Sequence, residues 1–215
     1  MFDFKSLKDK IGMEEKIIGR EKYFNSAVMA LIVENSGKYH LLFQKRAKNI
    51  RQGGEISFPG GKIDEKDQDS LEAAFRECFE EIGIPRERIE LIGKIGTHIT
   101  SSATLVEAYL GKTAIEDMEK LELNESEVEK CFLVPLEFFI ETVPRIEKLQ
   151  IETQPFYEEN GQIYPFPYEE FNLPERYRKP WKSPLREVYF YSYGEELIWG
   201  ITAEIVVEII KYIKI

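Results

Sequence analysis

Three glutamates, Glu77, Glu80 and Glu81, stand at positions i, i+3 and i+4 of the run Arg76-Glu77-Cys78-Phe79-Glu80-Glu81. On a helix, residues three and four apart share a face, so the three carboxylates converge. Like charges at that spacing repel and cost helix stability. Binding a hard divalent cation relieves that cost, and Mg²⁺ commonly completes its shell with waters and substrate phosphates. Such a cation can activate water, neutralise a diphosphate and stabilise an in-line displacement. Hydrolysis of a phosphorus anhydride is the chemistry these residue types suggest. Taken alone, the trio is better read as a solvated acidic face, which is common in a chain with 39 acidic residues. The surrounding pattern has to decide between the two.

The helix that must position the trio is well bounded. Asp69 can cap its N-terminus, with Glu72 three residues on as in a capping box. Gly83 follows its last turn and Pro85 prevents continuation. Leu71, Phe75, Cys78 and Ile82 fall on a different side from the carboxylates and form a stripe that can pack on a sheet. Ala73 lies on the carboxylate side and adds almost no bulk. Upstream, the apolar run 27–34 and the run 39–45 flank the turn Asn35-Ser36-Gly37-Lys38 and read as a β-hairpin. A short strand over 55–58 leads into Pro59-Gly60-Gly61, and 62–69 is a polar loop. Downstream, the sequence predicts strands over 88–99, 104–110 and 187–192. It predicts a helical turn over 124–130, a short helix begun by Val134-Pro135-Leu136-Glu137-Phe138-Phe139, and a closing helix over 198–213. Residues 1 to about 20 read as an amphipathic helix or arm. Residues 145–183, rich in proline and tyrosine, read as a long ordered loop or insertion that could serve as a lid over substrate or as a homodimer contact. Strands and helices mix without regular βαβ alternation, which favours an α+β or sandwich arrangement.

A chain of 215 residues suits a single domain over 1–215 with an extension or long insertion. The net charge of −10 argues against nucleic acid and against an acidic membrane surface. A polyphosphate ligand is still compatible, provided metal cations or a local basic cluster offset the repulsion. Lys45, Arg46, Lys48 and Arg51 form such a cluster. Cys78 and Cys131 are too few for a disulfide framework and fit reduced core thiols in a cytosolic protein. The charged first 20 residues contain no apolar core of a signal peptide. Leu197 to Ile215 is interrupted by Glu204, Glu208 and Lys211, as in an amphipathic helix rather than a membrane span. The expected location is therefore cytoplasmic. His40 and His98 lack a third ligand and read as structural, although His98 follows a strand and could line a pocket. Trp181, Trp199 and the tyrosines read as packing residues.

The stretch from Gly60-Gly61-Lys62 to Arg76-Glu77-Cys78-Phe79-Glu80-Glu81-Ile82-Gly83-Ile84 resembles the Nudix box: a glycine, a spaced acidic residue, then Arg-Glu-apolar-x-Glu-Glu-x-Gly-apolar. The second half matches throughout. The first half is one residue longer between Gly61 and Arg76, with Asp67 or Asp69 where the pattern has a spaced Glu. A longer loop with aspartates is similar to the coenzyme A pyrophosphatase branch of Nudix hydrolases. Leu42-Phe43-Gln44-Lys45-Arg46-Ala47, Arg51, Gly54 and Phe58-Pro59-Gly60-Gly61 resemble that branch's upstream motif. Here Phe43-Gln44 replaces a more usual Leu-Thr, and the gap from Arg51 to Gly54 is one residue short. Asn124-Glu125-Ser126-Glu127-Val128 with Phe132-Leu133-Val134-Pro135-Leu136, and Ile198-Trp199-Gly200-Ile201-Thr202-Ala203, resemble later segments of the same branch. The likeness spans about residues 25–140 and 185–212.

The resemblance implies a Nudix fold, an α+β (α/β/α) sandwich with a mixed β-sheet between helices. It implies that Glu77, Glu80 and Glu81 ligate Mg²⁺ or Mn²⁺ and that Arg76 fixes a carboxylate's direction. Gly60 and Gly61 would let the backbone approach metal or phosphate, and Arg46 and Arg51 would bind the phosphates of a small-molecule substrate. Glu127 would complete the metal site or take a proton from the attacking water, with Glu125 as the competing choice. The leading function is cleavage of coenzyme A or a derivative to 4′-phosphopantetheine and adenosine 3′,5′-bisphosphate. The alternatives are a Nudix hydrolase of another nucleoside-diphosphate-linked substrate, such as ADP-ribose or NADH, and a non-catalytic nucleotide-binding sensor. Loss of turnover in Glu80→Gln with the fold intact would separate enzyme from sensor.

Overall fold

Apolar side chains alternate along Phe24–Asn35, and in the computed structural model this segment is the long central strand β1. The structure describes residues 16–115 and 117–214, so most of the arm expected over 1–20 lies outside the described residues. On β1, Met29, Leu31 and Val33 point to one side, whereas Val28, Ala30 and Ile32 point to the other. That period of two is what a strand buried on both faces requires. β2 (Lys38–Arg46) repeats it, with Leu42 on the first side and Leu41 and Phe43 on the second. The hairpin between them turns on Ser36 and Gly37, both at positive φ (52° and 73°), the pair of left-handed residues that a tight two-residue turn demands.

The hairpin does not stay closed. β1 and β2 pair from Asn35↔Lys38 to Leu31↔Leu42, and beyond that point two short strands take their places. β3 (Ile56–Ser57) pairs with β2 through Gln44↔Ser57 and Lys45↔Ile56, while β4 (Gly60–Lys62) pairs with β1 from Val28↔Gly60 to Ser26↔Lys62. The Met29 N–H donates to the Pro59 carbonyl at 2.9 Å across the same gap. The glycine turn thus sits in a fork of the sheet.

Helix α1 (Ser70–Ile82) follows, then β5 (Glu90–Ile99) and β6 (Thr104–Ala114). β6 runs parallel to β1 along its whole length, from Phe24↔Thr104 to Glu34↔Ala114; every other pairing in the sheet is antiparallel. β7 (Val128–Pro135) lies along the far edge of β2 and leads into the short helix α2 (Leu136–Glu141). The sheet is therefore mixed and seven-stranded.

Each face of the sheet is covered. Ala74, Phe75, Cys78 and Ile82 of α1 pack against Met29, Leu31 and Leu42 on one side. Ile205, Val206, Ile209 and Ile210 of the last helix, α3 (Gly200–Ile213), pack with Phe139 of α2 against Leu41, Phe43 and Ala108 on the other. Full burial of one such aliphatic side chain contributes about 1.5–3 kcal/mol, so these layers fix α1 and α3 on the sheet far more firmly than helix propensity could. This is an α+β, α/β/α sandwich, as expected.

Two regions differ from the sequence expectation. Residues 124–130, expected as a helical turn, form a reverse turn that passes into β7 at Val128, because β7 finds an unpaired edge of β2 to join. Residues 145–183, expected as irregular, contain β8 (Arg145–Leu149), β9 (Glu152–Thr153), β10 (Phe156–Glu159), β11 (Gln162–Pro165) and β12 (Trp181–Lys182). β8 pairs with β13 (Arg186–Tyr193), which pairs with β14 (Glu196–Trp199) in a small second sheet. Trp199 stacks on Phe190 and Trp181 lies edge-on to Tyr177, so both tryptophans are packing residues.

Candidate active site

Asp69 caps the helix as expected, while the return bond from Glu72 goes to the residue before the cap. Asp69 Oδ1 accepts from the Glu72 N–H at 2.9 Å, and Glu72 Oε2 accepts from the Gln68 N–H at 2.7 Å. Gly83, in the left-handed region, ends α1. These signals set the phase of the helix, and with it which glutamates turn toward the fork.

Glu77 and Glu81, one turn apart, both turn inward. Glu81 is 2% exposed. Its Oε2 accepts from the Gly60 N–H at 2.8 Å and from Gln44 Nε2 at 2.9 Å, so it is held by both sides of the fork. It has no ion-pair partner among the described residues. Burial lifts its carboxyl to about 7, against the opposing pull of the two hydrogen bonds. Glu77, 9% exposed, is also raised above the ordinary carboxylate range by burial, which outweighs its bond to Arg76.

The two glycines of the turn are required by close approach, Gly61 to a carboxylate and Gly60 to β1. A Cβ on Gly61 would lie 2.6 Å from the Glu77 carboxyl carbon and from its Oε1. A Cβ on Gly60 would lie 2.3 Å from the Ala27 carbonyl oxygen. Only residues without a side chain let the turn enter the fork and meet the helix.

A third carboxylate comes from another element. Ligand-capable oxygens of Glu77, Glu81 and Glu127 all lie within 4.8 Å of one another. Glu127 is exposed and sits on the turn before β7. Main-chain bonds fix that turn: the Asn124 N–H to the Glu81 carbonyl at 2.9 Å, the Glu127 and Val128 N–H groups to the Asn124 carbonyl at 2.9 and 2.8 Å, and the Ala47 N–H to the Glu127 carbonyl at 2.8 Å. Glu125 is exposed and lies outside the cluster.

Glu80 lies outside it too. It is exposed on the outer side of α1, where its Oε2 accepts from Arg76 Nη1 at 2.8 Å. The same Nη1 donates to Glu77 Oε1 at 2.8 Å. Nε and Nη2 of Arg76 grip Asp67 in a two-pronged bond at 2.9 Å each, and Nη2 also reaches the Lys62 carbonyl at 3.0 Å. Arg76 thus ties helix, loop and turn together, and its guanidinium holds the Asp67 carboxyl below its usual range. Of the two aspartates offered for the spaced acidic position, Asp67 serves Arg76 and Asp69 serves the helix cap.

Arg46 ends β2, half-buried, close enough to Glu81 to favour its charged form, and its Nε donates to the Arg51 carbonyl at 3.3 Å. Arg51 is exposed in the same loop. Lys45 points away from the cluster to Glu196, at 3.3 Å. His98 lies elsewhere, between Glu204 and Arg186 in a cleft beside α3. Cys78 and Cys131 are free thiols raised by burial, Cys131 to about 12. Among the described residues no helix is long and apolar enough to cross a membrane.

Sequence reasoning missed two contributors. Gln44 entered it only as a departure from a motif; standing after the apolar run Leu41-Leu42-Phe43 and before Lys45-Arg46, it carried no local sign of burial. The main-chain bond from Asn124 to Glu81 carried no signal in side-chain types.

Comparison with known proteins agrees with this arrangement. Residues 23–159 match the NUDIX domain family. The uncharacterized Nudix hydrolase NudL of Photorhabdus laumondii is 28% identical over 176 residues, covering 81% of this chain and 78% of that protein. The peroxisomal coenzyme A diphosphatase NUDT7 of Mus musculus is 28% identical over 134 residues, or 62% of this chain and 55% of that protein. Nudix hydrolase 3 of Caenorhabditis elegans is 34% identical over 123 residues, or 54% of this chain and 50% of that protein. With the box on a buried, capped helix and the family match spanning well over half of its length, the chain belongs to the Nudix family, hydrolases that act on phosphorus anhydrides.

Proposed function

We propose that this protein hydrolyses the diphosphate of coenzyme A or a derivative, releasing 4′-phosphopantetheine and adenosine 3′,5′-bisphosphate, with Mg²⁺ or Mn²⁺ as cofactor. In this reading residues 1–215 are one Nudix domain, with 145–183 inserted into it, acting in the cytoplasm. The observation that carries the reaction is the meeting of Glu77, Glu81 and Glu127 within 4.8 Å. The site suits a hard dication. Two of the three carboxylates are buried, Glu81 makes no ion pair among the described residues, and only the missing side chain of Gly61 makes room for the Glu77 carboxylate. Removing unpaired carboxylates from water is costly unless a cation or proton joins them.

Glu77 and Glu81 would hold the ion from α1 and Glu127 from the turn, with Glu80 beside them on Arg76. A bound divalent ion supplies charge neutralisation at the diphosphate and a more acidic water. Arg76 keeps Glu77 and Glu80 at a fixed angle. If Glu77 and Glu81 hold the ion without it, the exposed Glu127 would instead accept the proton of the attacking water. Arg46 and Arg51 offer guanidinium groups to the substrate's phosphates, and Gly60 and Gly61 keep the approach free of side chains.

The choice of coenzyme A rests on the upstream motif, Arg46 and Arg51 through Phe58-Pro59-Gly60-Gly61, and on the likeness to a coenzyme A diphosphatase. It is tested by offering coenzyme A, ADP-ribose, NADH and dinucleoside polyphosphates with Mg²⁺ or Mn²⁺. The expected result is highest kcat/KM on coenzyme A. Efficient turnover of ADP-ribose with none of coenzyme A would replace the substrate but keep the reaction. No hydrolysis of any diphosphate would leave a nucleotide-binding sensor.

A further inference from the structure

Gln44 stands where β2 leaves β1 and joins β3, opposite Ser57 on one side and Cys131 on the other. Its side chain is wholly buried. Phe43 before it points to the α3 side of the sheet, so Gln44 points to the α1 side, toward the carboxylates. Its Nε2 donates to Glu81 Oε2, the same oxygen that takes the Gly60 N–H. Both donors on Glu81 therefore go to one oxygen, and Oε1 takes no hydrogen bond from the described residues. The other end of the amide, Gln44 Oε1, is buried and has no partner among the described residues. A buried carbonyl oxygen without a donor costs about 1–3 kcal/mol, and an apolar residue of the same size would avoid that cost.

We propose that Gln44 is a positioning residue of the metal site. Its amide N–H holds Glu81 Oε2 so that Oε1 is the oxygen offered to the cluster. Its own carbonyl oxygen is kept for a donor that arrives with the divalent ion, namely a water of the ion's shell. Groups that orient metal ligands in this way commonly change metal affinity about 10- to 100-fold when removed. The inference rests on the metal reading of Glu77, Glu81 and Glu127.

The test uses the full chain without substrate. Mn²⁺ binding is followed by electron paramagnetic resonance for wild type and Gln44→Met, a variant that keeps the side chain's length and loses both polar atoms. The expected result is a dissociation constant raised about tenfold or more. Wild-type affinity in a folded Gln44→Met variant overturns the proposal and leaves the metal site standing. Absence of saturable Mn²⁺ binding by the wild type overturns the site itself. Should Gln44→Met fail to fold, the side-chain amide resonances of Gln44 in the wild type decide. They move on addition of saturating Mg²⁺ if the carbonyl oxygen gains its donor, and stay fixed if Gln44 only packs.

Discussion

The Asn124 N–H donates to the Glu81 carbonyl at 2.9 Å, so the last turn of α1 is bonded directly to the turn that carries Glu127. The bond lets two segments more than 40 residues apart present carboxylates to one point. Asn124 also shapes its own turn, its Oδ1 accepting from the Ser126 N–H at 3.2 Å and from Ser126 Oγ at 2.6 Å. Asn124→Ala removes the side-chain bonds and keeps the main-chain donor. Its expected cost is about 1 kcal/mol, or a fall of roughly 2–4 °C in melting temperature, with a larger proportional loss of kcat because Glu127 is no longer fixed. Calorimetry and steady-state kinetics on the same preparation check both.

Gly61→Ala places a methyl group where the Glu77 carboxylate stands, 2.6 Å from its carboxyl carbon. The sheet holds Gly61 opposite Ala27, so the carboxylate is the part that must move. The variant is expected to keep its circular dichroism spectrum and lose at least about 100-fold in kcat/KM, a loss of about 2.7 kcal/mol in transition-state stabilisation.

Arg76→Lys keeps a positive charge and loses the two-pronged grip on Asp67, whose side chain is 3% exposed. An ammonium cannot serve Asp67, Glu77, Glu80 and the Lys62 carbonyl together. The expected destabilisation is about 3 kcal/mol, typical of uncoupling a buried charge. Urea denaturation should show it as a lower midpoint at unchanged slope.

For the metal-free protein, the raised carboxyl of Glu81 gives a definite sign to the pH dependence. Its folded value, about 7, lies above the ordinary 4.5 of the unfolded chain. The folded state therefore holds its proton more tightly, and this contribution to stability is complete below 4.5 and is lost as pH rises through 7. Glu77, raised for the same reason, adds in the same direction. In chelator, the melting temperature should fall between pH 6 and pH 8 by an amount on the order of 5 °C. Because a divalent ion competes with those protons, the rise in melting temperature produced by Mg²⁺ should be larger at pH 8 than at pH 6.

The readable parts were those written in local residue patterns. The β1–β2 hairpin was legible in its alternation and in Asn35-Ser36-Gly37-Lys38, and α1 in Asp69, Glu72, Gly83 and Pro85. The inward turn of Glu81 was partly legible, since spacing puts it on one face with Glu77. Spacing could not separate Glu80 from that pair, because the division depends on where Arg76 and the fork stand in three dimensions. The start of β7, residues 128–130, reads as part of a helical turn because Asn124-Glu125-Ser126-Glu127 favours a turn or a helix start, and nothing local announces an open strand edge on β2. The strands of 145–183 were hidden by prolines and by side chains that are almost all exposed, which removes the alternation that marks a half-buried strand.

Titration of the metal-free chain with Mn²⁺ at pH 8, for wild type, Glu81→Gln and Glu80→Gln, tests most directly whether the gathered carboxylates bind the ion. A saturable site in the wild type is expected, with affinity reduced about 100-fold or more in Glu81→Gln and much less in Glu80→Gln, which stands outside the cluster on Arg76. No saturable site, or equal affinity in wild type and a folded Glu81→Gln, would contradict it.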